Sequence, residues 1–249
     1  MEGLVSIITP CYNSEKYISE TYHSIKNQKY SNWEWLIVDD CSNDNSVGII
    51  KSFKDSRIKL IVNKVNKGAS VSRNLALENA VGDYITFIDS DDLWECDFLT
   101  TTLKYLKDNN ETLVYTSYKR VDESLNQILE DFIAIDKVDY NRLLYNCPIP
   151  MLTAIYDCRK IGKIYFPEVN LREDHAMWLL LLTRTNYARA ISNPLGIYRI
   201  RTNSVSRNKF KIAIKQFQLY NNHLKMNFFL SMYYTINWAL NGLKKYGKL

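Results

Sequence analysis

Glycine is scarce in this chain of 249 residues, and none stands in Thr9-Pro10-Cys11-Tyr12-Asn13-Ser14, the stretch after the first apolar run. A dinucleotide-binding fold needs G-x-G-x-x-G at that turn, and a P-loop needs a glycine-rich phosphate cradle, so both chemistries are disfavoured. The five cysteines are widely spaced with no C-x-x-C pair. Such a set suits reduced thiols in the cytoplasm and supplies no zinc-finger spacing; with no other nucleic-acid signature, no nucleic-acid partner is expected. The start, Met1-Glu2-Gly3-Leu4, lacks the basic and apolar regions of a signal peptide. No apolar run reaches the ~20 residues of a membrane span. The longest candidate, residues 228–243, is interrupted by Asn237 and Asn241.

Apolar residues make up 46% and charged residues 24%, the balance of a folded globular chain. The net charge is +5, with basic residues crowded between Arg199 and Lys248. That asymmetry suits an anionic substrate or an anionic membrane surface.

Apolar runs at residues 4–9, 33–38, 57–62 and 84–88 read as strands, alternating with helical patterns at 15–28, 46–53 and 69–80. This rhythm predicts βαβ units, a mostly parallel sheet flanked by helices, and strand ends gathered along one edge. Those ends are polar: Thr9 with Tyr12 and Asn13, then Asp39 with Asp40, then Asp89-Ser90-Asp91-Asp92. One pocket at the carboxyl edge is the economical expectation. Three carboxylates within four residues repel one another unless a cation sits among them, and Mg²⁺ or Mn²⁺ takes such oxygen ligands while bridging to phosphates. The bland alternative is an Asp-rich turn capping a helix that starts near Leu93, and Asp92 fits such a cap as well as a ligand.

Four segments in order, Val5-Ser6-Ile7-Ile8-Thr9-Pro10-Cys11-Tyr12-Asn13, Ile37-Val38-Asp39-Asp40-Cys41-Ser42, Asn66-Lys67-Gly68-Ala69-Ser70 through Arg73-Asn74, and Phe87-Ile88-Asp89-Ser90-Asp91-Asp92, resemble the family-2 glycosyltransferases. The resemblance implies an α/β fold of the GT-A, Rossmann-like type. It implies inverting transfer of one sugar from a nucleotide-diphosphate donor, with Mn²⁺ or Mg²⁺ on the diphosphate. By position, Thr9, Tyr12, Asp40 and Arg73 match base-binding residues of uridine-diphosphate-using members, Asp89 a ribose ligand, and Asp91 the metal ligand of the D-x-D motif. A tyrosine ring offers a stacking face, a carboxylate accepts the uracil N3 proton, and arginine donates to a carbonyl.

Downstream, Arg172-Glu173-Asp174 opens a buried helix, and Asp174 matches the family's general base; the positive end of the helix dipole favours its ionised form. Glu173, His175, Arg199 and Arg201 are candidate contacts of the diphosphate or the acceptor. Residues 193–207 read as a loop able to close over the diphosphate. The Q-x-x-R-W of processive members is absent. Residues 1–207 are expected as the catalytic domain and 208–249 as a helical C-terminal extension. In that extension Phe210, Ile214, Phe217, Leu224 and Phe228 fall on one stripe, suited to packing back on the domain, to a partner subunit, or to peripheral contact with the inner face of the membrane. The acceptor is expected to be a glycan or a lipid-linked glycan. Two rival readings are an inactive relative that binds nucleotide or glycan, and a sugar nucleotidyltransferase; the latter lacks its triphosphate loop here.

Overall fold

A computed structural model describes residues 3–167, 169, 172–201 and 209–246. The chain opens with β1 (Val5–Cys11), α1 (Ile18–Lys26), β2 (Trp33–Asp39), α2 (Ser46–Ser52), β3 (Ile58–Val62), α3 (Ala69–Asn79) and β4 (Tyr84–Phe87). It continues through β5 (Leu93–Trp94), α4 (Phe98–Asp108), β6 (Leu113–Val121), β7 (Gln127–Phe132), β8 (Lys137–Asp139), α5 (Tyr140–Tyr145), β9 (Ile155–Asp157) and α6 (Cys158–Ile161). The last elements are α7 (Glu173–Leu181), β10 (Tyr187–Arg199), α8 (Lys209–Gln218), a π-helical turn (Leu219–His223) and α9 (Phe228–Tyr246).

The ten strands among the described residues join one sheet, in the order β3-β2-β1-β4-β9-β6-β10-β5, with β7 beside β6 and β8 beside β10. The β1, β2, β3 and β4 pairings are parallel; β9 runs antiparallel between β4 and β6, and β10 is again parallel to β6. Six of the ten strands therefore run in one direction, so the sheet is mostly parallel, as the sequence rhythm predicts.

Both faces of the sheet are covered, which is why the central strands are apolar on both sides. Val5, Ile7, Trp35 and Ile37 face the layer of α1, α2 and α4, while Ile8, Leu36, Val38 and Phe87 face the layer of α3 and α7. Alternate side chains of a strand point to opposite faces, so each strand serves two cores. Pro10, expected to end the first strand, lies within β1 in register with Val38. Leu93 does not start a helix: Leu93 and Trp94 form β5 against Gly196 and Ile197, and the helix begins at Phe98.

The tail folds back on the body. Leu219 and Tyr220 are buried in the larger core, and the Tyr220 hydroxyl donates to Leu144 O at 2.5 Å. The expected stripe is divided, because Leu224 lies in the bend between the π-helical turn and α9, Phe228 opens α9, and Ile214 is exposed.

Candidate active site

The carboxyl ends of β1, β2, β3 and β4 and the end of β10 enclose a cleft of about 510 Å³. Pro10, Cys11 and Tyr12 come from β1; Asp40 follows β2; Asn66, Gly68, Ala69 and Arg73 follow β3; Asp89 to Asp92 follow β4. Tyr198, Arg199 and Arg201 close the far side.

The turn without glycine works because Asn13 takes the left-handed conformation, φ 50°, which asparagine tolerates better than most residues. Its backbone N–H donates to Ser42 Oγ and its side-chain oxygen accepts from Asn43 N–H, tying the β1 turn to the β2 turn. Tyr12 is left with its side chain exposed at the mouth of the cleft.

Thr9 departs from expectation. It is fully buried, donates to Ile88 O at 2.8 Å and accepts from Trp35 Nε1–H at 2.8 Å. Its side chain ties β1 to β4 and offers no face to the cleft, so it is corrected from a base contact to a strand tie.

Asp40, nearly buried, accepts from Asn63 Nδ2–H at 2.8 Å, Lys67 N–H at 2.9 Å and Gly68 N–H at 2.7 Å. Gly68 has φ 89°, a conformation other residues adopt only with strain. The carboxylate thus holds the loop that starts α3, and with about four lone-pair sites it keeps room for one more donor. Arg73, on α3, pairs with Asp89 at 2.6 Å while its guanidinium lies 5.3 Å from the Phe166 ring centroid. Its buried Nε–H finds no acceptor.

The three carboxylates after β4 have separate environments. Asp89 is the most open and faces Arg73. Burial, then the neighbouring Asp89, pushes the Asp91 carboxyl above the usual range, and Arg201 Nε opposes this at 2.9 Å. Asp92 is buried and pushed well above the usual range, by burial first and then by Asp91 and Asp89; it accepts from the backbone N–H of Arg199 at 2.9 Å. It anchors β10 to the acidic turn and caps no helix. Asp89 and Asp91, both lining the cleft and both anionic when ionised, form a donor set that suits a hard divalent cation completing its shell with phosphate and water oxygens. Among the described residues no cluster of three metal-ligating side chains exists.

Arg199 lines the cleft, but its guanidinium is committed elsewhere: Nε–H donates to Asp91 O at 2.9 Å, one terminal nitrogen to Glu123 O at 2.8 Å, and the other to Glu20. It is corrected from a diphosphate contact to a clamp on the acidic turn. Arg201 is more open, and its ion pair with Asp91 borders the cleft. The expected loop at 193–199 is instead the end of β10, and residues 202–207 lie outside the described residues.

Glu173 and Asp174 occupy the first turn of α7, half-buried, and neither lines this cleft. Arg172 before them is left-handed, φ 79°. His175 is fully buried; its Nε2–H donates to Leu143 O at 2.8 Å, leaving Nδ1 to accept from Gln216 Nε2 at 3.1 Å and Arg172 at 3.2 Å. Burial and the Arg172 charge pull its pKa down to about 4. It is a neutral packing residue, a correction to its expected role as a contact.

Sequence reasoning missed Tyr198, Glu20, Glu123 and the Ser14–Ser90 hydroxyl pair at 2.6 Å. Tyr198 adjoins a basic pair that did carry a signal. Glu20 and Glu123 lie on a helix and a turn far apart in the chain, and only the fold brings them to Arg199.

The match to the family model described as "Glycosyl transferase family 2" covers residues 6–158. An Escherichia coli protein named UDP-Glc:alpha-D-GlcNAc-diphosphoundecaprenol beta-1,3-glucosyltransferase WfgD is 38% identical over 98% of this chain and 95% of its own. The putative teichuronic acid biosynthesis glycosyltransferase TuaG of Bacillus subtilis is 35% identical over 97% of each. Among solved structures, Staphylococcus aureus TarS 1-349 in complex with UDP-GlcNAc superposes with a TM-score of 0.75 at 22% identity, over 96% of this chain and 72% of that one. With the cleft at the strand ends, the family match and near full-length relatives, the chain belongs to glycosyl transferase family 2 and carries the GT-A fold.

Proposed function

We propose that this chain is an inverting, non-processive glycosyltransferase that moves one sugar from a uridine-diphosphate donor to a lipid-linked glycan at the cytoplasmic face of the membrane, in surface-polysaccharide synthesis. The observation that carries the donor half is the convergence of Tyr12, Asp40, Arg73, Asp89 and Asp91 from beyond the carboxyl ends of four strands, β1 to β4, on one cleft. The acceptor half rests on relatives whose names specify a diphosphoundecaprenol-linked sugar and teichuronic acid. Residues 1–207 serve as the catalytic unit and 208–249 as a helical extension.

In this reading Tyr12 stacks on the base, and the remaining acceptor capacity of Asp40 meets the uracil N3–H. Arg73 donates to the base and holds Asp89 toward the ribose. Asp91 is the residue that would hold Mn²⁺ or Mg²⁺. Bound there, the cation supplies Lewis-acid stabilisation of the departing nucleotide diphosphate. Arg201 leaves Asp91 for the diphosphate when the donor arrives, and so adds a second positive charge on the leaving side. Asp174, in the first turn of α7, takes the proton from the acceptor hydroxyl as that oxygen attacks the anomeric carbon from the face opposite the leaving group. Displacement from the opposite face inverts the anomeric centre.

Calorimetric titration with uridine, guanosine and thymidine diphosphates, each with and without Mn²⁺, tests the donor half. Metal-enhanced binding of the uridine compound alone is the expected result. Preference for another base would overturn the uracil assignment. Asp174→Asn should leave uridine diphosphate affinity unchanged while transfer falls ~10²-fold or more; retained transfer would remove Asp174 as the base.

A further inference from the structure

The last helix presents its apolar side outward. Along α9, Phe229, Met232, Tyr233, Ile236 and Leu240 recur at i, i+3, i+4, i+7 and i+11 and are all exposed, Phe229 to 83%. At ~100° per residue they share one arc, extended by Phe228. The ridge is ~16 Å long at 1.5 Å per residue. The opposite arc is the one already in use. Ser231 is buried, Asn241 Nδ2–H donates to Tyr145 O, and the Trp238 ring lies under the Arg172 guanidinium at 5.2 Å. Tyr233 also meets the Tyr145 ring of α5 and Phe228 the Phe217 ring of α8, so Phe229, Met232, Ile236 and Leu240 form the part of the ridge that the fold leaves to something else. A contiguous exposed apolar patch of this kind marks an interaction site.

Charge identifies the occupant. The extension that carries α9, residues 208–249, contains seven lysines and no carboxylate side chain. Lys225, at the entry to α9, is exposed. A second copy docked on the same face would bring two such cationic segments together, which repulsion opposes. Negatively charged headgroups over an apolar interior match both halves of the pattern. No helix among the described residues is long and apolar enough to cross a membrane.

We propose that the outward ridge of α9 seats this enzyme on an anionic lipid surface. The inference deepens the proposed lipid-linked acceptor and rests on that reading only for its purpose. The inward side of α9 touches Arg172, two residues before Asp174, so the interface and the start of α7 are separated by about one helix diameter, ~10 Å. A sugar whose carrier lies in the bilayer is thereby presented to the acceptor side of the molecule.

The test is co-sedimentation of the full chain with vesicles of phosphatidylcholine alone and of phosphatidylcholine with about one third phosphatidylglycerol, free of donor and acceptor. Partition into the anionic vesicles is expected to exceed that into neutral ones ~10-fold or more and to weaken as salt rises. The double variant Phe229→Ser/Ile236→Ser should lose ~10²-fold of this partition with an unchanged melting midpoint and unchanged uridine diphosphate binding. Lys225→Glu should weaken partition without touching the ridge. Absence of vesicle binding by the native chain overturns the proposal, as does a lipid-free dimer in sedimentation velocity that the double variant dissociates. Because the vesicles carry no acceptor, failure here leaves the donor and acceptor reading to its own titration and transfer assays.

Discussion

Thr9 and Arg199 show that a residue placed by motif at a binding site can be there to build it. Thr9 joins the backbone of β4 to the indole of β2, and both partners are buried. Thr9→Val keeps the shape but leaves the Trp35 N–H without an acceptor, a cost of about 1–3 kcal/mol. Thermal unfolding should report that loss while uridine diphosphate affinity stays within about twofold, since the hydroxyl does not face the cleft; a large fall in affinity would restore Thr9 as a contact. The two arginines separate in the same way. Arg201→Gln should weaken donor binding ~10-fold, the value of a charge-assisted hydrogen bond, with no change in melting midpoint. Arg199→Gln removes the bonds that tie the acidic turn, the Glu123 turn and α1 together, and should lower the midpoint itself. Equal melting loss in both variants would contradict the division of roles. These roles were hidden in the sequence because an arginine beside a cleft reads alike whether its partners are substrate or protein.

Elements differ in how far they were legible. β1, β2 and β4 were plain in the sequence, since each is a short β-branched or aromatic run ending in polar groups, and the pocket at their ends followed. β5 was read as the start of a helix because Asp91 and Asp92 resemble a cap, yet Leu93 and Trp94 pair with a segment a hundred residues away. β10 carries Pro194 and Gly196 at shifts of register against β6, which broke the alternation by which a strand is recognised and made its end look like a loop. In α7, the buried neutral His175 has a consequence for stability. Its folded pKa, about 4, lies below the unfolded value near 6.5, so the unfolded chain binds the extra proton in that window. Stability should be level above pH 6.5 and fall as pH drops toward 4, by an amount on the order of 3 kcal/mol. Melting midpoints measured across this range, compared with His175→Gln, check the sign; equal acid sensitivity of the variant would assign the loss elsewhere.

For the molecule as a whole, the tail is part of the core. Leu219 and Tyr220 are buried beside α5, and Gln216 partners His175. A chain ending at residue 207 loses that burial, worth ~1.5–3 kcal/mol for each large apolar side chain, and leaves Leu144 O without its hydroxyl donor. Such a truncation should melt well below the full chain and bind a hydrophobic dye; an unchanged midpoint would make residues 208–249 a separate appendage. The strand order has another consequence. β9, at residues 155–157, covers the edge of β4, which ends at Phe87. During synthesis that edge waits for 70 more residues, which at ~5–20 residues per second is about 4–14 s. Through that interval Ile85 and Phe87 sit on an open sheet edge of the kind that recruits other strands. The nascent enzyme is thus most exposed to misassembly midway along its message, before the strand that seals its nucleotide half has left the ribosome.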